Sequence, residues 1–338
     1  MTRTDPILRI EGLSTSFTGD EGTVVAVDDV SFDVHEGEIV GLIGESGSGK
    51  SVTALGIIGL LPKDTARVTA KRIMFDGRDL RQASDRELRR LRGGSIGMVF
   101  QEPMSSLNPV LKIGDQLMEP IRIHERISRR AAFDRGVELL AKVGIPSPAQ
   151  RMNDYPHQLS GGMRQRVMIA IALSCSPKLL LADEPTTALD VTIQAQLLDL
   201  LLEIQAETRM AIVLITHSMG VIAECADKVV VMYSGRIVEQ GPVTEIFDRP
   251  GHPYTRGLMQ CTPELTGNPR RLTTIPGSLP SLSALPPGCR FAPRCDLALD
   301  ACRTGRPPMI GLGEKHASAC IRATELVTSS LIPEEAEA

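Results

Sequence analysis

The run Gly44-Glu-Ser-Gly-Ser-Gly-Lys50-Ser51 carries the most specific chemistry in the chain. Its glycines let successive backbone N–H groups turn inward around an anion. Lys50 adds a point charge suited to β and γ phosphates, and the Ser51 hydroxyl is placed to coordinate Mg2+. The run follows the apolar segment Ile39 to Ile43 and opens a helical pattern from Ser51 to Leu61, so a helix N-terminus contributes its partial positive charge. A glycine-rich turn without function is the other reading of such a run. The strand before it and the helix after it are the context a phosphate loop needs, so binding of a nucleotide is expected.

A second acidic element narrows the chemistry. Leu179-Leu-Leu-Ala-Asp183-Glu184-Pro185 reads as a buried strand ending in two carboxylates. Asp183 is suited to orient a Mg2+ shell and Glu184 to accept a proton from an attacking water. An Asp-Glu pair after a strand also occurs in solvated capping loops, but here it accompanies a phosphate loop. Gln101 follows the strand pattern Ile96 to Phe100, and His217 follows Ala211 to Ile215. Ligands of parallel sheets gather at the carboxyl ends of strands, so Lys50, Gln101, Asp183, Glu184 and His217 are expected to converge. Leu159-Ser160-Gly161-Gly162-Met163 precedes the helical pattern Arg164 to Leu173 and forms a second anion-binding helix start.

The elements that must position these groups are an alternation of strands and helices. Ile39 to Ile43, Ile96 to Phe100, Leu179 to Ala182, Ala211 to Ile215 and Lys228 to Met232 are apolar on both faces, as strands of a buried parallel sheet are. Ser51 to Leu61, Arg164 to Leu173 and Val191 to Thr208 are the helical patterns between them. The fold class is α/β with a mainly parallel sheet core, and residues of about 102–160 form an inserted helical subdomain without strands. Residues 1–248 make up this α/β unit. Of 23 prolines, 12 fall in the last 90 residues, so residues 249–338 form a loop-rich C-terminal extension.

Apolar residues make up 42% and charged residues 23%, with a formal charge of -4, which excludes a disordered chain and a protein that coats nucleic acid by bulk charge. No apolar stretch approaches the roughly 20 residues of a membrane-spanning helix. The N-terminus shows no secretory pattern, so the protein is expected in the cytosol, where seven cysteines would remain thiols or bind metal.

The two phosphate-binding helix starts in one chain resemble the nucleotide-binding subunit of an ATP-binding cassette (ABC) transporter, whose signature is usually Leu-Ser-Gly-Gly-Gln; Met163 takes the fifth place here. The resemblance implies an ATPase with ATP and Mg2+. It makes Gly44, Glu45, Ser46, Gly47, Ser48, Gly49, Lys50, Ser51 and Val52 the ATP-binding loop, with Phe17 stacking on adenine. Ser51, Gln101 and Asp183 would serve Mg2+, Glu184 and His217 would be catalytic with Lys50 and Gln101, and Ala188-Leu189-Asp190 would form the D-loop. Two such subunits pair head to tail, so Ser160, Gly161, Gly162 and Met163 would act on the partner's ATP. Phe100-Gln-Glu-Pro-Met-Ser-Ser-Leu-Asn-Pro109, Tyr155-Pro-His-Gln-Leu-Ser160 and Gly251-His-Pro-Tyr-Thr-Arg256 are similar to segments of oligopeptide, dipeptide and nickel importer ATPases. That likeness implies two membrane permease subunits, a second ATPase subunit, an extracytoplasmic solute-binding protein and a place on the cytoplasmic face of the membrane, with no nucleic acid.

Cys289, Cys295, Cys302 and Cys320 are separated by five, six and seventeen intervening residues in the proline-rich tail, a pattern that points to metal ligation. Paired Cys-x-x-Cys knuckles of structural zinc are missing, and similar cysteine sets in dipeptide-importer ATPases carry a [4Fe-4S] cluster, so the resemblance favours the cluster over Zn2+. On this reading the tail's fold depends on ligation. Cys175, Cys225 and Cys261 fit no such spacing. Arg78, Arg81, Arg86, Arg89, Arg90 and Arg92 read as a solvated face paired with Asp79, Asp85 and Glu87. The rival from another class is a soluble, non-transport ABC protein with an iron-sulfur site, acting on ribosomes or DNA. Such proteins carry two cassettes, a long coiled coil or a ferredoxin-like N-terminal domain, none of which the sequence shows.

Overall fold

The computed structural model describes residues 5–20, 22–101, 106–186, 190–261 and 274–328. Thirteen strands among them form two sheets. The smaller is antiparallel: β1 (Leu8–Gly19), β2 (Gly22–Val34), β4 (Ala66–Thr69), β5 (Arg72–Phe75) and β6 (Arg78–Asp79), with β2, β1, β5 and β6 in line and β4 also paired to β1. The larger holds β3 (Ile39–Ile43), β7 (Ile96–Val99), β8 (Leu179–Asp183), β9 (Ala211–Thr216), β10 (Lys228–Tyr233), β11 (Arg236–Pro242), β12 (Ile310–Gly311) and β13 (Ala317–Ser318). Its order is β12-β13-β11-β10-β3-β9-β8-β7, and the five strands from β10 to β7 are parallel.

The mainly parallel core is therefore present, but it shares the molecule with an antiparallel sheet that the sequence did not announce. β1 loses its alternation because its pairing with β2 shifts register after Ile10, Leu13 and Thr15, and each bulge turns side chains off the period of two.

Side chains of the parallel strands alternate between two cores. Val40, Leu42, Leu179, Leu181, Val213 and Ile215 pack with Leu8, Val27 and Phe75 of the antiparallel sheet. Ile39, Ile43, Leu180, Ala182, Ile212 and Leu214 face the other way, onto the helices. Those helices include Ile113–Glu125, Arg129–Lys142 and Gly161–Leu173. The first two, with Pro148–Arg151, follow β7 along the chain, and among the described residues no strand lies between β7 and β8.

The tail joins the larger sheet. Its β13 pairs with β11 through Glu239 opposite Ser318 and Gln240 opposite Ala317. Glu239 is fully buried there, and His316 meets its Oε1 at 2.8 Å while the backbone N–H groups of Gly251 and His252 donate to the same carboxylate.

Candidate functional site

Register brings the candidate residues to one edge. Ile43 lies opposite Thr216, Asp183 opposite Ile215 and Val99 opposite Ala182. The carboxyl ends of β3, β9, β8 and β7 thus release Gly44, His217, Glu184 and Gln101 on the same side of the sheet.

The phosphate loop is shaped by close packing. Gly44 has φ +154°, and a Cβ there would lie 2.2 Å from the Met232 carbonyl oxygen. Gly49, at φ +101°, caps the helix Lys50–Ile57. The Lys50 ammonium donates to the carbonyls of Gly44 at 2.8 Å and Glu45 at 3.0 Å, so it closes over the loop. Ser46 and Gly47 are exposed, Ser48 is buried and Val52 half-buried.

Ser51 Oγ donates to Asp183 Oδ1 at 3.0 Å. A hydroxyl and a carboxylate oxygen side by side suit a hard cation such as Mg2+, which takes oxygen ligands. Burial pushes the Asp183 carboxyl up, partly offset by the Ser51 hydrogen bond. Burial also pushes the Lys50 ammonium down against the opposing pull of Glu184, Asp183 and Glu45. Both charged forms are thus undersolvated, and each gains from counter-charge brought by a ligand.

Glu184 follows in the left-handed region, at φ +46°, with its N–H bonded to Ile215 O at 2.9 Å. Such backbone in a non-glycine residue is strained by roughly 1–2 kcal/mol, and it re-aims the carboxylate. Gln101 Nε2 donates to Glu184 Oε2 at 3.1 Å, and His217 Nδ1 lies 3.7 Å from Oε1. Each carboxylate oxygen therefore has its own polar neighbour, and the two neighbours come from different strands.

The remaining candidates sit on other elements. Ser160 is exposed at the start of the helix Gly161–Leu173 and its Oγ accepts the Met163 N–H at 3.4 Å; Gly161 is exposed, while Gly162 and Met163 are half-buried. Asp190 is exposed at the start of the helix Val191–Thr208; Ala188 and Leu189 lie outside the described residues. Phe17 is half-buried in the antiparallel sheet, opposite Val24 and Ala66. Of Phe100 to Pro109, residues 102–105 lie outside the described residues; Phe100, Val110 and Leu111 are exposed.

Sequence reasoning missed three supporting residues. Gln165, fully buried, donates through Nε2 to the Pro185 carbonyl and ties the signature helix to the end of β8. An uncharged polar residue inside an apolar helix was the available signal. Tyr254 and Arg294 reach Glu45 of the phosphate loop from far along the chain, with no signal at any local spacing.

The arginine-rich stretch is paired, but only in part as expected. Arg81 meets Asp79 at 2.6 Å, whereas Asp85 pairs with Lys63 and Glu87 caps the helix Asp85–Leu91 through Ser84. Arg92 turns inward to the carbonyls of Ile58 and Gly59.

The four tail cysteines lie within electrostatic reach of one another in pairs. Cys289 N–H donates to Cys302 O at 2.8 Å, and Cys289, Cys295 and Cys320 are each pushed up by burial first, Cys295 to about 11, with Asp296 beside Cys295 and neighbouring thiols adding to the rise. Yet among the described residues no group of three or more His, Cys, Asp or Glu is arranged to hold a metal ion. The structure thus gives no support to the expected [4Fe-4S] cluster or Zn2+. The tail is held by other means: β13 on β11, His316 on Glu239, Arg290 on Asp28 at 2.6 Å, and Phe291 against Tyr233 and Tyr254 with centroids 5.2 and 5.4 Å away.

A family model described as ABC transporter matches residues 27–187, and one described as oligopeptide/dipeptide transporter, C-terminal region, matches residues 238–302. The chain is 49% identical over 316 residues to the dipeptide transport ATP-binding protein DppD of Bacillus subtilis, covering 94% of each chain. It is 48% identical to DppD of Escherichia coli, covering 93% of this chain and 96% of that one. Among solved structures, the ATP-binding cassette MJ0796, a dimer in a post-hydrolysis state bound to ADP and Pi, superposes with a TM-score of 0.63 at 28% identity, covering 70% of this chain and 98% of that one. CbiO1 of Clostridium perfringens, part of the ABC transporter complex cbiONQ, gives 0.61 at 30% identity, covering 72% and 91%.

Proposed function

Since the chain belongs to the ATP-binding proteins of ABC transporters, in the group with the oligopeptide/dipeptide transporter C-terminal region, we propose that it hydrolyses ATP to power peptide import. The observation that carries this reading is Glu184 beyond the Ser51–Asp183 pair, with Gln101 on one carboxylate oxygen and His217 beside the other. ATP lies with its phosphates on the loop from Gly44 to Val52 and its adenine against Phe17. Mg2+, held by Ser51, Asp183 and Gln101, would neutralise phosphate charge.

Glu184 takes a proton from the attacking water as its oxygen bonds to the γ-phosphorus, and the bond to the β-phosphate oxygen breaks to give ADP and phosphate. Gln101 holds Glu184 toward that water, and His217 sits where γ-phosphate charge develops. Lys50 stabilises the same charge. Ser160, Gly161, Gly162 and Met163, exposed or half-exposed at a helix start, meet the ATP of a second ATPase subunit, with Asp190 at that junction. The exposed apolar side chains of Phe100, Val110 and Leu111, in the stretch that follows β7, are offered to a membrane permease subunit.

The chain divides on this reading into an ATPase unit, residues 1–248 with a helical subdomain at about 102–160, and a C-terminal extension, residues 249–338. No helix among the described residues is long and apolar enough to cross a membrane. The protein works as a peripheral subunit on the cytoplasmic face, beside two permeases fed by an extracytoplasmic solute-binding protein. The test is uptake of radiolabelled dipeptides by cells whose copy of this chain carries Lys50→Ala. Loss of ATP-dependent uptake supports the reading, and undiminished uptake of every peptide tried contradicts it.

A further inference from the structure

Glu45 follows the first glycine of the phosphate loop, and residues more than two hundred positions away hold it. Arg294 clasps its carboxylate with both ends of the guanidinium, Nη1 to Oε2 at 2.7 Å and Nη2 to Oε1 at 3.0 Å. The Glu45 backbone N–H donates to Tyr254 Oη at 2.8 Å. Loop and extension are thus joined through both the main chain and the side chain of one residue.

Arg294 is itself fixed. Its Nε donates to Pro276 O at 2.7 Å, and its guanidinium carbon lies 5.8 Å from the Tyr233 ring centroid and 5.9 Å from that of Phe291. Its side chain is 6% exposed. Tyr254 is fully buried, with its ring 4.7 Å from that of Tyr233 at the end of β10. A planar guanidinium stacked on aromatic faces and forked onto a carboxylate has little freedom left to lose when it acts.

The charge of Glu45 makes this contact more than a tether. A carboxylate in a loop that receives a polyanion repels it, and Glu45 is near enough to Lys50 to act on its ammonium. Bidentate pairing with Arg294 neutralises that charge and fixes the carboxylate in place.

We propose that Arg294 and Tyr254 are positioning residues of the ATP site, so that ATP affinity depends on the docked C-terminal extension neutralising and pinning Glu45. This rests on the ATP-binding reading above. Neither residue touches a reacting atom.

The experiment is titration of the full-length chain with Mg-ATP. Arg294→Gln strands an unneutralised carboxylate in the loop and raises Kd about tenfold, the effect of one lost charge-assisted contact. Adding Glu45→Gln to Arg294→Gln removes the stranded charge and brings Kd back to within about threefold of wild type. A contact that only stabilises the fold would not be rescued by deleting its partner's charge. Arg294→Lys, which keeps charge without the fork, gives an intermediate Kd, and Tyr254→Phe raises it as well.

An unchanged Kd in Arg294→Gln, or a double variant no tighter than Arg294→Gln alone, overturns the proposal. Should Arg294→Gln not fold, wild-type Kd in both Arg294→Lys and Tyr254→Phe overturns it equally. Lys50→Ala is measured alongside: wild-type ATP binding in that variant would strike at the ATP-site reading, whereas its loss beside an unaffected Arg294→Gln strikes at the positioning role alone.

Discussion

Ser51 Oγ and Asp183 Oδ1, 132 positions apart in sequence, stand 3.0 Å from each other because β3 and β8 flank β9 in the parallel part of the larger sheet. That pair fixes where the phosphate loop ends and where the acidic strand end begins. Glu184, one residue on, inherits its place from it.

Lys50 bonds the carbonyls of Gly44 and Glu45 and lies within the field of Asp183 and Glu184. Lys50→Ala removes charge-assisted contacts worth about 1.5–3 kcal/mol each, so ATP affinity falls roughly 10- to 100-fold. Isothermal titration with Mg-ATP measures this, and a Kd within twofold of wild type would argue against the role.

The loop glycines differ in what a methyl group would meet. A Cβ at Gly44 would collide with Met232 O at 2.2 Å, whereas at Gly47, also at positive φ (+81°), it meets nothing within 4 Å. Gly47→Ala should cost about 1–2 kcal/mol of backbone strain and leave a folded protein, and Gly44→Ala should cost several times more or prevent folding. Thermal unfolding of the two variants side by side checks the order; equal losses would contradict the packing described.

His252 begins the helix Pro253–Gln260, with its Nδ1 accepting the Tyr254 N–H at 3.1 Å, and burial pushes its pKa down to about 3. In the unfolded chain histidine titrates near 6.5. Between those values the unfolded state binds a proton that the folded state refuses, so stability present above pH 6.5 is lost as the pH falls toward 3. By pH 5 the loss from this group is about 2 kcal/mol. His252→Asn keeps a capping oxygen without the titration, so its drop in Tm from pH 7 to pH 5 should be smaller than that of the wild type. An identical drop would show that other groups carry the acid sensitivity.

Much of the site was legible because its parts sit at strand ends, where sequence and position coincide. Ile39–Ile43 is apolar at every residue, and Gly44 to Ser51 follows without a gap. The strands ending before His217 and in Asp183 announce themselves the same way. β1 and β2 were not legible because bulges break their alternation. The grip of Tyr254 and Arg294 on Glu45 was hidden because a contact 249 residues long leaves no periodic trace. In the tail the cysteines form a visible pattern for which the described residues show no metal-holding arrangement, while the contacts that dock it, Arg290 with Asp28 and His316 with Glu239, are pairs of ordinary residues whose partnership exists only in the fold.

The central claim is that Glu184 acts as the general base for ATP hydrolysis, with Gln101 and His217 at its two oxygens. Its most direct test is Mg-ATP binding and turnover by the co-purified transporter with Glu184→Gln in this chain, measured in a complex where only sites built on this chain's phosphate loop can hydrolyse. The expected result is near wild-type ATP affinity with turnover reduced by about 10²- to 10⁴-fold. Turnover within a few fold of wild type would contradict it.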